Sequence, residues 1–249
     1  MLSNVTLIKD KVIPVPKKSI YSLYIKRIMD IALSGFALLV ISPVLVLLAV
    51  LELAIHGRPI FYVSQRPGKN CELFNICKFR SMTNKTDEND ELLPEEFRLT
   101  KFGLFLRRTS LDELPEIWSI FTGKMSIVGP RPLLTEYVEL YTPRHKMRHN
   151  VRPGLACARV KRSKSDVIPD TWTWRDQFEN DIYYIENISF LLDVRIIIGI
   201  AVKAIKGSSF RTNDTRVRFN GKNLDDTRSK QEAMAEFQNK DKQMTVNLN

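Results

Sequence analysis

Two acids stand side by side at Asp112 and Glu113, in the run Arg107-Arg108-Thr109-Ser110-Leu111-Asp112-Glu113-Leu114-Pro115. Fixed cations near a carboxylate keep it ionised at neutral pH, so one acid of such a pair can attack an electrophile while its neighbour holds a divalent metal. A blander reading is open on the same residues. Pro115 belongs in a first helical turn, so a helix starting near Asp112 to Pro115 would make Asp112 an N-cap and Glu113 an acid favoured by the helix dipole.

The flanking pattern supplies the elements that would hold the pair. Thr100 to Arg108 and Pro115 to Met125 read as helices, with Leu104, Leu106, Ile117, Trp118, Ile120 and Phe121 available for burial. Pro59 to Ser64, a turn at Gln65 to Asn70, and Leu73 to Met82 read as a hairpin. Thr83 to Glu96 is acidic and polar and is expected to be a mobile loop, without the further ligands a metal would need. Gly129-Pro130-Arg131-Pro132 and Arg152-Pro153-Gly154 read as turns that each present a cation, with Leu133 to Met147 as an amphipathic helix between them. Arginine suits bidentate contact with phosphate, and Arg107, Arg131 and Arg152 could converge on an anion from such positions. His145 and His149 have the i, i+4 spacing of a zinc pair, but Arg144, Lys146 and Arg148 surround them and no acid lies between.

From Ile31 to Leu51 no charged residue interrupts the chain, and as a straight helix these 21 residues would reach about 32 Å, enough to cross a bilayer. Ser42-Pro43 sits at the midpoint. Pro43 has no N–H for the carbonyl of Leu39, which predicts a kink, and the Ser42 hydroxyl can satisfy the freed group. A sharp kink would leave arms of about 15 Å that dip into one leaflet and return, whereas a gentle one would leave a single-pass anchor. Lys17, Lys18, Lys26 and Arg27 precede the segment and Arg58, Arg66 and Lys69 follow it, which argues against a simple inside-outside bias. A cleaved signal peptide does not fit so long an apolar core. Leu191 to Lys206 is apolar with a narrow polar face, as suits a helix lying in the headgroup region or a core helix. Ser208 to Asn249 is polar and is expected to be a disordered tail, with a short helix near Gln231 to Phe237.

The 249 residues suffice for one ordinary domain besides these additions, and the net charge of +10 predicts a polyanionic partner without choosing among nucleic acid, lipid headgroups and phosphorylated small molecules. Cys71, Cys77 and Cys157 are odd in number and lack C-x-x-C spacing, which supports neither a disulfide framework nor a zinc ribbon.

In order, Lys26-Arg27-Ile28-Met29-Asp30, Ser42-Pro43, Gln65-Arg66-Pro67-Gly68, Cys77 to Met82, Ser110 to Pro115, Gly129 to Pro132, Arg152-Pro153-Gly154 and Asp181-Ile182-Tyr183-Tyr184 resemble the bacterial sugar transferase family, the monotopic polyprenyl-phosphate sugar-1-phosphate transferases. The likeness runs from about Tyr21 to Lys206 and is to the small, minimal form. It implies a mostly α fold with a small β-hairpin. A re-entrant membrane helix hairpin over residues 21–56, broken at Ser42 and Pro43, and interfacial amphipathic helices would surround a compact catalytic domain over 57–207. Residues 1–20 would be an extension and 208–249 the tail. The domain would rest on the cytosolic face of the bacterial inner membrane. The implied activity is transfer of a sugar-1-phosphate from a UDP-sugar to a membrane polyprenyl (undecaprenyl) phosphate, releasing UMP, as the initiating membrane step of glycan or exopolysaccharide assembly. Asp112 would be the nucleophile of a covalent phosphosugar intermediate and Glu113 the ligand of Mg2+, with Lys78, Arg80, Arg107, Arg131, Arg152, Asp181 and Tyr184 binding substrate. Membrane lipid is an implied partner, nucleic acid is not, and a homo-oligomer is left open. One departure stands out: where the family runs through Gln and an Asn-Gly-Arg-Asn-like stretch, this chain has the basic run Ala158-Arg159-Val160-Lys161-Arg162-Ser163-Lys164, which bears on sugar recognition.

Two other functions fit parts of the sequence. A glycosyltransferase using the same donor would release UDP, but no regular strand-helix alternation of a nucleotide-binding fold is legible. A basic membrane-tethered adaptor without catalysis would explain the charge, yet few aromatics interleave with the basic residues for stacking on bases.

Overall fold

The computed structural model describes residues 16–157, 173–205 and 217–226. The basic run Ala158 to Lys164 and the helix expected near Gln231 to Phe237 lie outside them. The described chain is mostly helical, with two small sheets and one long apolar helix near the N-terminus.

That helix, α1 (Lys26–His56), continues a π-helical turn at Tyr21–Ile25 and runs through Pro43 as one element. The Ser42 hydroxyl donates to the Leu39 carbonyl at 2.8 Å, supplying the bond that Pro43 cannot. Phe36, Leu39, Val40, Val46 and Leu47 near the midpoint are exposed, whereas both ends dock on the same body. At one end the Arg27 guanidinium donates to the carbonyls of Ile120 (2.7 Å) and Phe121 (2.9 Å), and the Asp30 carboxylate accepts the Ile127 N–H at 3.0 Å. At the other, Leu48 packs with Phe79 and Leu106, and the His56 ring bridges Glu52 (2.6 Å) and Thr100 (2.8 Å).

Strands β1 (Phe61–Pro67) and β2 (Leu73–Phe79) form the expected antiparallel hairpin, but pairing extends through Gln65, Arg66 and Pro67, which the sequence reading placed in the turn. Pro67 can end a ladder because the closing bond runs from Gly68 N–H to the Glu72 carbonyl, at 2.8 Å. Alternation puts Phe74, Ile76 and Lys78 on one face, the first two in the core with Ile120 and Met125.

Helix α2 (Lys101–Thr109) is capped by Thr100, whose hydroxyl accepts the Gly103 N–H, and it ends at Ser110 in the left-handed region. A 3-10 turn at Leu111–Glu113 follows, then α3 (Glu116–Phe121). The N-cap of α3 is Pro115, and no side chain caps it, so the reading of Asp112 as an N-cap is corrected. α3 stops short of the expected Met125 because Gly123, at φ 92°, reverses the chain and lets Lys124 and Met125 both donate to the Ser119 carbonyl.

Strand β3 (Ser126–Val128) pairs in parallel with β4 (Gly154–Ala156). The helix expected over Leu133 to Met147 is instead two 3-10 stretches, Thr135–Leu140 and Met147–Asn150, around a short helix at Pro143–Lys146. Thr142-Pro143 causes the break, since proline excludes a continuing helix and Thr142 caps the new one. Helices α4 (Trp174–Glu186), with a capping box from Thr173 and Asp176, and α5 (Phe190–Ile205) complete the body. Part of the expected disordered tail is packed: Phe219 joins Tyr137, Tyr141, Trp174 and Phe178, and the Trp174 indole donates to the Val217 carbonyl at 2.8 Å. Phe219 and Leu224 supply the apolar anchors, with the Leu224 carbonyl accepting the Arg175 N–H at 2.9 Å and Asp225 pairing with Arg175 at 2.6 Å.

The two arginine-bearing turns are locked together by glycines. A Cβ on Gly154 would lie 2.0 Å from the Gly129 nitrogen, so only glycine permits the β3–β4 approach. Gly154→Ala is therefore expected to cost at least about 2 kcal/mol through overpacking. Denaturant unfolding in detergent checks this, and an unchanged midpoint would contradict the packing.

Candidate functional site

Three elements meet around Glu113. Lys78, at the end of β2's inward register, brings its ammonium to 2.8 Å from Glu113 Oε1 and 3.0 Å from Glu116 Oε1. Arg131, held in the Gly-Pro-Arg-Pro turn, donates to the same Glu113 oxygen at 2.9 Å. Asp112 and Glu113 are both buried, as is Glu116 one turn further on. Lys78, Glu113, Glu116 and Arg131, with Arg66 from β1, line one cleft. It therefore holds three cations facing two carboxylates, with Asp112 adjacent in the chain.

The electrostatics follow from burial. Desolvation pushes the Glu116 carboxyl upward, with Lys78 opposing and Glu113 adding to the shift. Arg131 is raised, mainly by the charge of Glu113, while burial lowers Arg66. Among the described residues no group of three or more His, Cys, Asp or Glu side chains converges to hold a metal by itself. The acids do offer hard oxygen donors around a shared cation position, the one Lys78 takes between Glu113 and Glu116.

The remaining expected substrate residues have other partners in this structure: of Arg107, Arg131 and Arg152, Arg131 is the one seen against Glu113. Arg107 bonds to the Ser81 hydroxyl at 2.8 Å and pairs with Glu95. Arg152 donates to the Gly123 carbonyl at 2.9 Å, and Arg80 is buried against the carbonyls of Pro59 and Met82. Asp181 pairs at 2.8 Å with buried Arg148, which donates at 2.6 Å to the Arg131 carbonyl, so it supports the turn from behind. Tyr184 bonds to the Val128 carbonyl and to Asp193. The two histidines are core residues: His145 stacks on Phe178 at 4.5 Å, and His149, its pKa lowered by burial to about 4, meets the Gly68 carbonyl at 3.0 Å.

Glu116, Arg66 and Arg148 were not singled out from the sequence. Glu116 was within reach, since three-residue spacing from Glu113 on a helical turn puts both on one side. Arg66 was within reach too, because it pairs across the hairpin with Phe74, whose face carries Lys78. Nothing in the sequence pointed to Arg148.

Cations around paired acids in this cleft suit an anionic ligand, and the same chain carries one helix long and apolar enough, by length and composition, to cross a membrane. The family model of bacterial sugar transferases matches residues 21–207, and the chain belongs to that family. It is 36% identical over 200 residues to the uncharacterized sugar transferase EpsL of Bacillus subtilis, covering 79% of this chain and 96% of that one. It is 36% identical over 204 residues to the exopolysaccharide production protein PSS of Rhizobium leguminosarum bv. phaseoli, covering 76% and 99%. The UDP-glucose:undecaprenyl-phosphate glucose-1-phosphate transferase of Escherichia coli is 37% identical over 183 residues, 70% of this chain but 38% of that larger protein.

Glu116 gives a pH signature. Its folded pKa lies above the unfolded carboxylate value, so its contribution to stability is complete below about pH 4.5 and is lost as pH rises through the folded pKa. Glu116→Gln should match the wild type in stability at pH 4 and equal or exceed it at pH 7. Urea unfolding at both values measures this, and a Gln variant clearly weaker at pH 7 would contradict it.

Proposed function

We propose that this chain transfers a sugar-1-phosphate from a UDP-sugar to a membrane polyprenyl phosphate such as undecaprenyl phosphate, as the initiating step of glycan or exopolysaccharide assembly. The observation that carries the proposal is the clamp of Lys78 and Arg131 on Glu113 beside buried Asp112. The printed activity of the Escherichia coli relative, a UDP-glucose:undecaprenyl-phosphate glucose-1-phosphate transferase, supports the choice of reaction.

In the first step an Asp112 carboxylate oxygen attacks the sugar-bearing phosphorus of the donor, and the bond to the uridine-side phosphate breaks, so UMP leaves with the electron pair. Lys78, Arg66 and Arg131 offset the charge of the pyrophosphate so that a carboxylate can approach it. Mg2+, held by Glu113 with Glu116 near, would neutralise phosphate oxygens when bound, a task that needs few protein ligands because the substrate supplies others. In the second step a polyprenyl phosphate oxygen attacks the same phosphorus and restores the Asp112 carboxylate.

Placing α1 in the membrane completes the account. The Ser42-Pro43 midpoint would dip into one leaflet and both arms return to the catalytic domain, which supports a re-entrant helix over residues 21–56 and a domain over 57–207 on the cytosolic face of the inner membrane. The exposed Trp118 and Phe121 of α3, and Phe190, Leu191 and Ile198 of α5, supply apolar surface for the headgroup region. α5 also buries Leu192 and Ile196 in the core, so both of its sequence readings have support.

Incubating the protein with Mg2+, polyprenyl phosphate and a panel of UDP-sugars should yield UMP with at least one donor. Asp112→Asn should reduce turnover by about 10³-fold or more, and Glu113→Gln by about 10²-fold with altered magnesium dependence. Release of UDP, or full turnover by Asp112→Asn, would reject the proposal.

A further inference from the structure

A second concave site, with a volume of about 210 Å³, lies at the N-terminal end of α1 and has no lining residue in common with the Glu113 cleft. Lys17, Lys18, Lys26, Arg27, Lys69 and Arg152 line it. Asp30 is the acid in its wall, and its carboxylate already accepts the Ile127 N–H. Lys26 is matched by Asp193 at 2.5 Å. Among the described residues, the other five cations show no carboxylate within ion-pair distance.

A purely structural role accounts for part of this. Arg27 and Arg152 donate to the carbonyls of Ile120 and Phe121 at the end of α3 and of Gly123 in the turn after it, where cations are favoured. That role does not explain the lysines. Lys17 and Lys18 come from the stretch before α1, which is fixed by the bond from Lys17 N–H to the Ile185 carbonyl at 3.0 Å and by the Ser22 hydroxyl on the Lys17 carbonyl at 2.8 Å. Lys69 comes from the tip of the β1–β2 hairpin. Two separate segments thus bring lysines to one concavity already lined by Arg27 and Arg152, where like charge is concentrated and repulsive unless an anion enters.

The wall also carries Leu23, Val151 and Ile188, and exposed Ile20 and Tyr24 continue an apolar surface toward α1. An anion with apolar substituents suits such a site better than a fully hydrated one. We propose that this basin binds the phosphodiester headgroup of an anionic membrane phospholipid, fixing the depth and tilt of the domain at the bilayer surface, with Arg152 serving there rather than on the sugar donor. This rests on the reading that α1 lies in the membrane.

The test uses the full chain in detergent micelles containing phosphatidylglycerol and phosphatidylcholine, with retained lipid counted by native mass spectrometry. The wild type should keep phosphatidylglycerol preferentially, and the triple variant Lys17→Gln, Lys18→Gln, Lys69→Gln should lower its affinity about 100-fold, the product expected of three lysines near a membrane surface. A control variant with Lys85, Lys101 and Lys222 changed to Gln should keep it. Equal retention by the wild type and the first triple variant, or equal loss in the control, would overturn the site. Displacement of the lipid by millimolar inorganic phosphate alone would overturn its assignment to a headgroup. Flotation of the first triple variant with phosphatidylcholine vesicles tests α1 separately: flotation without selective lipid retention is the expected result, and failure to float would count against the membrane reading itself.

Discussion

Glu113 is held by two cations from different elements, Lys78 at 2.8 Å and Arg131 at 2.9 Å on the same carboxylate oxygen, and the surrounding architecture follows from that constraint. A buried carboxylate is tolerated when it is paired and hydrogen-bonded, so each cation must arrive with little freedom. Lys78 arrives on an inward strand face and Arg131 in a turn that two prolines stiffen. Removing either would leave a buried charge less compensated, which is why the clamp and the fold cannot be treated separately.

The support behind Arg131 is as specific as the clamp. Asp181 anchors Arg148, Arg148 holds the Arg131 carbonyl, and Tyr141 and Phe178 pack their rings beside the Arg148 guanidinium. Phe219 joins the same aromatic cluster from beyond the region matched by the family. Positioning of Arg131 is thereby spread over α4, the segment before β4 and a piece of the C-terminal stretch.

Much of this could be read from the sequence where the signal was local. The hairpin, α2 with its Thr100 cap, the apolar helix with Ser42 completing the bond lost at Pro43, and the acidic pair itself all follow from neighbouring residue types. Failures had two sources, local backbone geometry that residue types did not reveal and long-range contacts. The Asp112 N-cap was lost because Ser110 adopts a left-handed conformation and a 3-10 turn intervenes before Pro115. Arg107 and Arg152 looked equivalent to Arg131 because arginines near turns carry no direction in sequence; in the structure Glu95 holds Arg107 and the Gly123 carbonyl holds Arg152. Asp181 and Tyr184, expected at the substrate, face inward as supports, a distinction that residue type cannot make.

The central claim is that the clamp on Glu113 readies Asp112 to carry the phosphosugar. The most direct measurement is to mix the protein with its UDP-sugar donor and Mg2+ in the absence of polyprenyl phosphate, quench at once, and map the added mass by peptide mass spectrometry. The account predicts a sugar-phosphate adduct on Asp112 that disappears when polyprenyl phosphate is added. An adduct on another residue, or turnover to UMP with no adduct at any quench time, would contradict it.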